Sequence, residues 1–318
     1  MFVARLLALL LITAAPSHAV TQQDYDDCNS GNAETRIAGC TRIIEDSQEP
    51  ARNRGLAYYG RGLGHAQKRE YDTAIANFDA AIRLAPSYTP AFLNRGTSYI
   101  NKGEYDRAIA DFDQALKIDP DNALGYYFRG WAYSSKGNLD RAIEEYSEAI
   151  RLEPGAYLYS WRGDAYRNKG DHERALADYE EAIRLNANSV NGYAHRARLY
   201  VDRKDHDRAI PDLTQLIRLA PSYFAYGDRG AAYLAKSEFD LAIADYTEAI
   251  RLYPTYGGHY QSRGLAYLAK GDKDRAIADF RQAIELDPLG SKASRDELKV
   301  LVGEAGLPPR KNMLEMLK

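Results

Sequence analysis

The sequence has 318 residues, 27% of them charged, and a formal net charge of -3. A balanced, slightly acidic chain sets up no basic field for nucleic acid or anionic lipid, so nucleic acid is not expected as a partner. Tyrosine is over-used, with 25 against 8 Phe and 2 Trp, which points to one feature copied many times.

The chain opens as a secretory signal peptide does. Arg5 adds positive charge beside the amino terminus, residues 6–15 form an apolar run, and Pro16 breaks it. Ser17 and Ala19 then place small residues where a signal peptidase reads them. Residues 1–19 are expected to be removed, with cleavage after Ala19, which would put the mature protein in the periplasm or outside the cell. The run is too short to span a bilayer. No cysteine follows the cleavage site to carry a lipid, and no later segment is apolar enough to span, so no stable membrane insertion is expected.

Cys28 and Cys40 are the only cysteines. In an oxidising compartment they read as a disulfide, which would stabilise by about 3 kcal/mol on the loop-entropy argument. The competing reading, a metal site, needs further ligands, and the nearest histidine after them is His65.

From residue 55 the chain repeats. Arg-Gly pairs stand at Arg61, Arg95, Arg129, Arg162, Arg229 and Arg263, with Arg196-Ala197 completing the series at steps of 33 or 34. Prolines keep the same step at Pro86, Pro120, Pro154, Pro221, Pro254 and Pro288, with Ala187 in the gap. Two independent markers with one period define seven repeats, 55–88, 89–122, 123–155, 156–189, 190–222, 223–256 and 257–290. Within each, position 4 is aromatic, position 8 small, position 11 Tyr or His65, position 20 Ala, position 24 large and apolar, and position 27 small in all but one repeat (Leu216). The steps of three and four among positions 4, 8 and 11, and again among 20, 24 and 27, predict two helices per repeat.

The turn between the helices is also readable. Position 14 is cationic in every repeat and suits the negative end of the first helix, while position 18 is acidic and suits the positive start of the second. Position 15 is Gly in four repeats (Gly103, Gly137, Gly170, Gly271), as a left-handed helix end prefers. The proline at position 32 ends the second helix. The small residues leave holes for the rings, and a hairpin of this size must stack on its neighbours to stay folded.

This pattern resembles the tetratricopeptide repeat (TPR) family, and residues 89–122 are a clear instance. The resemblance implies an all-α fold, an α-α superhelix (TPR solenoid) of seven repeats with capping helices. Two departures stand out. Position 7 is Arg in all seven repeats, where the family often has Leu. The fifth repeat carries Ala197, Pro211, Leu213 and Leu216, and Pro211 should kink its helix or lie at its first turn. Residues 20–54 read as a degenerate leading repeat held by the disulfide, with Cys40 in the position-24 slot. Residues 291–318 read as a capping helix and tail, the last nine residues forming a short helix or fraying.

No motif for cofactor, metal or catalysis emerges. The glycines at 60, 62 and 64 lie inside a helix and do not form a phosphate loop, and no histidine belongs to an HExxH or a His/Asp/Ser set. No cofactor is expected, and the chain reads as non-enzymatic. The position-7 arginines admit two readings: a ladder offered to an acidic ligand, or pairing with the acidic position 23. Presence in every repeat favours the second.

The resemblance places ligand binding in a concave groove lined by positions 2, 5, 6, 9, 12 and 13 of the first helices. Here these include Leu93, Asn94, Tyr127, Phe128, Trp131, Tyr157, Trp161, Asp164, Arg167 and Asn168. Aromatic and arginine side chains are the usual anchors of interfaces. The alternative is that these rings only fill gaps between repeats. No Lys stands at position 5, so the carboxylate clamp of one TPR subfamily is not expected. The expected function is an exported scaffold binding an unidentified protein or peptide, in envelope assembly, secretion or proteolysis. The alternative is a self-assembling structural repeat protein.

Overall fold

A computed structural model describes residues 19–288 and 290–303. The expected signal peptide up to His18 and the tail 310–318 lie outside the described residues.

Every regular element among the described residues is an α-helix. A leading pair, α1 (Gln22–Cys28) and α2 (Ala33–Glu45), precedes the hairpins α3 (Ala51–Gln67) with α4 (Tyr71–Leu84), α5 (Thr89–Asn101) with α6 (Tyr105–Ile118), and α7 (Ala123–Ser135) with α8 (Leu139–Leu152). Then come α9 (Ala156–Asn168) with α10 (His172–Leu185), α11 (Val190–Asp202) with α12 (His206–Leu219), α13 (Tyr223–Ala235) with α14 (Phe239–Leu252), and α15 (Gly257–Ala269) with α16 (Lys273–Leu286). Helix α17 (Lys292–Val302) ends the series. The chain divides into two compact blocks, residues 1–154 and 155–318. Within each, every hairpin packs on the next. Helix α3 begins one turn before Gly55, because Pro50 ends the preceding loop and residues 51–54 are free to be helical.

The turn inside each hairpin is the same. Position 14 is the C-cap, position 15 is left-handed, and the next N–H returns to the carbonyl of position 11, as from Glu104 to Tyr99 (2.9 Å) and from Asp205 to Tyr200 (2.8 Å). This closure caps the orphan carbonyls of the first helix. Where glycine is absent, Arg69, Lys204 and Ser237 hold φ at 62°, 57° and 61°. A side chain there is strained by about 1 kcal/mol. Lys204→Gly and Ser237→Gly should therefore each raise the urea midpoint, by about 0.5–1 kcal/mol in stability.

The holes and rings meet as the composition demands. A methyl group on Gly96 would come 2.6 Å from the Phe112 ring, and one on Gly163 would come 2.6 Å from Tyr179. Both rings are fully buried. The fifth repeat obeys the same rule with different residues. Ala197 fills position 8 because position 24 there is Leu213, which has no ring to intrude. Helix α12 runs unbroken through Pro211.

The arginines of position 7 serve the packing. Arg196 donates through Nε and Nη2 to both carboxylate oxygens of Asp212 (2.8 and 2.7 Å), and Arg229 does the same with Asp245. These carboxylates are buried. The outer nitrogen reaches back to position 25 of the preceding hairpin: Arg95 to Asp79, Arg129 to Asp113, Arg229 to Thr214, Arg263 to Thr247. Each guanidinium also lies near the position-4 ring of its own helix, for example 5.4 Å from Tyr126. One side chain thus joins three helices. Lysines of position 14 cross the same seam outside, as Lys102 to Asp72 at 2.6 Å and Lys236 to Asp207 at 2.7 Å. Exposed pairs like these contribute about 0–1 kcal/mol.

The leading pair is fastened by the Cys28–Cys40 disulfide, which lies against Gly60 of α3. A methyl group at Gly60 would collide with the Cys40 sulfur at 2.7 Å and press on that of Cys28 at 3.1 Å. Thr21 and Asp24 form a capping box on α1, and Arg42 pairs with Asp24 and Asp27. The Thr21 backbone N–H, then Arg42, lowers the Asp24 carboxyl to about 2. A carboxyl depressed in the folded state adds stability above its ordinary value near 3.8, and that stability is lost as pH falls towards 2. Asp24→Asn should flatten the acid limb of the leading pair's unfolding across that window, as followed by hydrogen exchange. At the other end Leu298 of α17 is fully buried with Phe280 and Ile284, while Val300 faces outward.

Candidate interaction faces on the first helices

First helices of neighbouring repeats lie side by side, α3 with α5 and α5 with α7 in the N-terminal block, α9 with α11 and α13 with α15 in the C-terminal block. Positions 2, 5, 6, 9, 12 and 13 fall on this layer.

In the N-terminal block the layer is aromatic. Phe128 stacks on Phe112 at 5.9 Å between centroids, and Tyr127 leans on Phe128 at 5.0 Å. Phe128 and Trp131 rest half-buried on the core. The candidate rings therefore do both things at once: one side fills the seam and the other remains accessible. Asn94 donates from Nδ2 to the Tyr59 hydroxyl (3.2 Å) and to the Pro90 carbonyl (2.9 Å). Burial raises the Tyr59 phenol to about 12. Leu93 corrects the expectation. It is only 7% exposed and belongs to a buried cluster with Ile75, Phe92 and Ile100. Shorter than the tyrosines at position 5 of the flanking repeats, it ends inside the core and offers no surface.

In the fourth and fifth repeats, which open the C-terminal block, the layer is polar, whereas the last two repeats carry Phe224, Leu234, Leu265 and Leu268 there. Asp164 accepts from the Tyr179 hydroxyl (2.8 Å) and pairs with His195 Nδ1 (2.8 Å) and Arg167 Nε (3.5 Å). Arg167 also approaches Asp202 (3.8 Å), which is paired with Arg198 (3.2 Å). The His195 ring stacks on Tyr179 at 5.8 Å. Trp161 is half-buried, and Tyr157 and Asn168 are exposed. The structure therefore brings Asp164 and Arg167 into one network and leaves Tyr157 and Asn168 accessible. His195, Arg198, Asp202 and Asp228 occupy positions 6, 9, 13 and 6 of later repeats, and reading those positions in every repeat would have found them.

Among the described residues no group of three His, Cys, Asp or Glu side chains could hold a metal ion. No described helix is long and apolar enough to cross a membrane.

Family models for the tetratricopeptide repeat match residues 93–157 and 129–190, 190–223, 223–256 and 260–288. No curated protein sequence matches the chain significantly. Among solved structures, the C-terminal part of a TPR repeat-containing protein from Cytophaga hutchinsonii is 21% identical. It has a TM-score of 0.62, and the match covers 76% of this chain and 99% of that one. A tetratricopeptide repeat protein from Parabacteroides merdae is also 21% identical, with a TM-score of 0.54 over 78% of this chain and 98% of that one. The Cut9-Hcn1 hetero-tetramer of the APC/C gives 18% identity and a TM-score of 0.57 over 85% of this chain. The match spans 53% of that longer chain. At these identities the structural likeness speaks for the fold alone, and the repeat models carry the assignment. The helix-pair packing, the position-specific residues and the matching models together show that the chain belongs to the tetratricopeptide repeat family.

Proposed function

We propose that the mature protein is an exported, non-enzymatic scaffold that holds a protein or peptide segment on its first-helix faces, in envelope assembly, secretion or proteolysis. One observation carries this reading. Side chains common to every hairpin are committed to packing, whereas positions 2, 5, 6, 9, 12 and 13 change from repeat to repeat and many of them, though not Leu93, Ile100 or Ser160, keep accessible surface. Leu124 is 47% exposed and Tyr157 40%, in a molecule whose position-24 rings are sealed. Residues freed from the fold and varied along a row suit selective recognition.

Two measurements test it. The mass of the protein purified from its native host should correspond to a chain beginning at Val20; retention of residues 1–19 would refute export. Capture from a periplasmic extract should recover a partner that Trp131→Ala or Trp161→Ala loses. If both variants keep every partner, the faces are wrongly assigned.

A further inference from the structure

The two faces differ in charge. In the first three repeats none of the eighteen residues at positions 2, 5, 6, 9, 12 and 13 is Asp, Glu, Lys, Arg or His. At the chain's average of 27% charged, about five would be. In the fourth and fifth repeats the same positions hold Asp164, Arg167, His195, Arg198 and Asp202, and the last two repeats add Asp228 alone. The N-terminal face is also accessible. Leu56 and Leu124 are 40% and 47% exposed, Tyr59, Tyr127, Phe128 and Trp131 are half-buried, and neutral Gln67, Asn101 and Ser135 are exposed among the face positions.

We infer that the first-helix face of the N-terminal block receives an uncharged, apolar peptide segment of a partner protein. A charged side chain pressed onto this face would lose water and find no counter-charge among those eighteen residues. An apolar side chain would gain by covering Leu124 and the adjoining rings, which already have one side fixed and so lose little freedom on binding. The amides and hydroxyls at the edge can meet the segment's backbone without selecting for charge. Exclusion of charged competitors then comes from the face itself.

This inference rests on the first-helix faces being binding faces, and the experiment separates the two. Trp161→Phe leaves Trp131 as the sole tryptophan, an emission reporter within the N-terminal face. Two short, end-capped probe peptides are titrated, each with an uncharged polyethylene glycol tail. One contains only Leu, Phe, Ser, Asn and Gly; in the other, Lys and Glu replace some of these residues. The expected result is a saturable blue shift with the first, at least about tenfold weaker with the second, and little changed by salt. Leu124→Lys should weaken the uncharged probe by at least about tenfold with an unaltered melting curve, because that residue makes its contacts at the surface.

Equal or tighter binding of the charged probe overturns the inference. So does a silent Trp131 when Trp161, in a Trp131→Phe chain, responds. A concentration-dependent dimer that shifts Trp131 without probe also overturns it, since a second copy would then cover the face. If the probes fail while capture from extract succeeds, only the charge selectivity falls. If capture fails as well, the binding reading falls with it.

Discussion

Asp178→Ala should cost about 3 kcal/mol of stability in urea unfolding, more than any change on the exposed faces. Arg162 donates to both oxygens of Asp178 at 2.9 and 2.7 Å, with side-chain exposures of 20% and 7%. Deleting the carboxylate takes the bidentate acceptor from a guanidinium that is largely withdrawn from water. The equivalent pair in the second repeat shows the balance of forces. Burial acts against the charge of Arg95, but Asp111 and Asp79 outweigh it and raise its pKa. Burial likewise raises the Asp111 carboxyl, with Arg95 pulling the other way. The pair is therefore a matched unit whose halves depend on each other. Replacing both members of the Arg162–Asp178 pair, Arg162→Met with Asp178→Leu, should recover most of the loss, since no buried charge remains. A single Asp178→Ala cost below about 1 kcal/mol would show that the arginines are solvated and available to ligand.

Removing the disulfide should be the second large effect, about 3 kcal/mol, and local. The bond closes a short loop between α1 and α2, and the leading pair meets the rest of the block mainly through α2 on α3. In a stack of hairpins each unit depends on its neighbours, so loss at one end frays that end first. Cys28→Ala with Cys40→Ala, or reduction of the native protein, should speed amide exchange across residues 22–45. Helices α13 to α16 should exchange as before. Alanine is the appropriate replacement, because Cys40 is fully buried and a serine would bury a hydroxyl. Unchanged exchange in α1 and α2 would mean that the capping box and Arg42 suffice without the bond.

The hairpins were legible in the sequence because local and long-range signals coincide. The Gly at position 8 and the ring at position 24 are far apart in the chain and meet in space, so each constrains the other in every copy. Ala197 looked like a defect until Leu213 was seen opposite it. The arginines were half legible. Pairing with position 23 followed from periodicity, but the reach to position 25 of the preceding hairpin depends on stacking that no single repeat reveals. The interaction faces were least legible. Position alone placed Leu93 among the surface candidates, but side-chain length decided that it is buried. His195 reads in the sequence only as a first-helix histidine outside any catalytic set, and Asp202 as one acid among many, because their meaning lies in proximity to Asp164 and Arg167 on another helix.

The backward reach of the arginines bears on how such a chain can change length. Within the blocks, Arg95, Arg129, Arg229 and Arg263 take an oxygen from the hairpin before them, and Asp79, Asp113, Thr214 and Thr247 all supply it from the same place. Even Thr41 of the leading pair does so, accepting from Arg61 at 3.3 Å. The couplings are interchangeable, so a whole hairpin could be gained or lost and the flanking joints would still close. A one-residue difference in repeat length is absorbed outside the joint: the fifth repeat has 33 residues where its neighbours have 34, and Arg229 still reaches Thr214 at 3.0 Å. The architecture is permissive to duplication in whole hairpins, because a joint asks for one oxygen in one place and not for a fixed count of residues between joints.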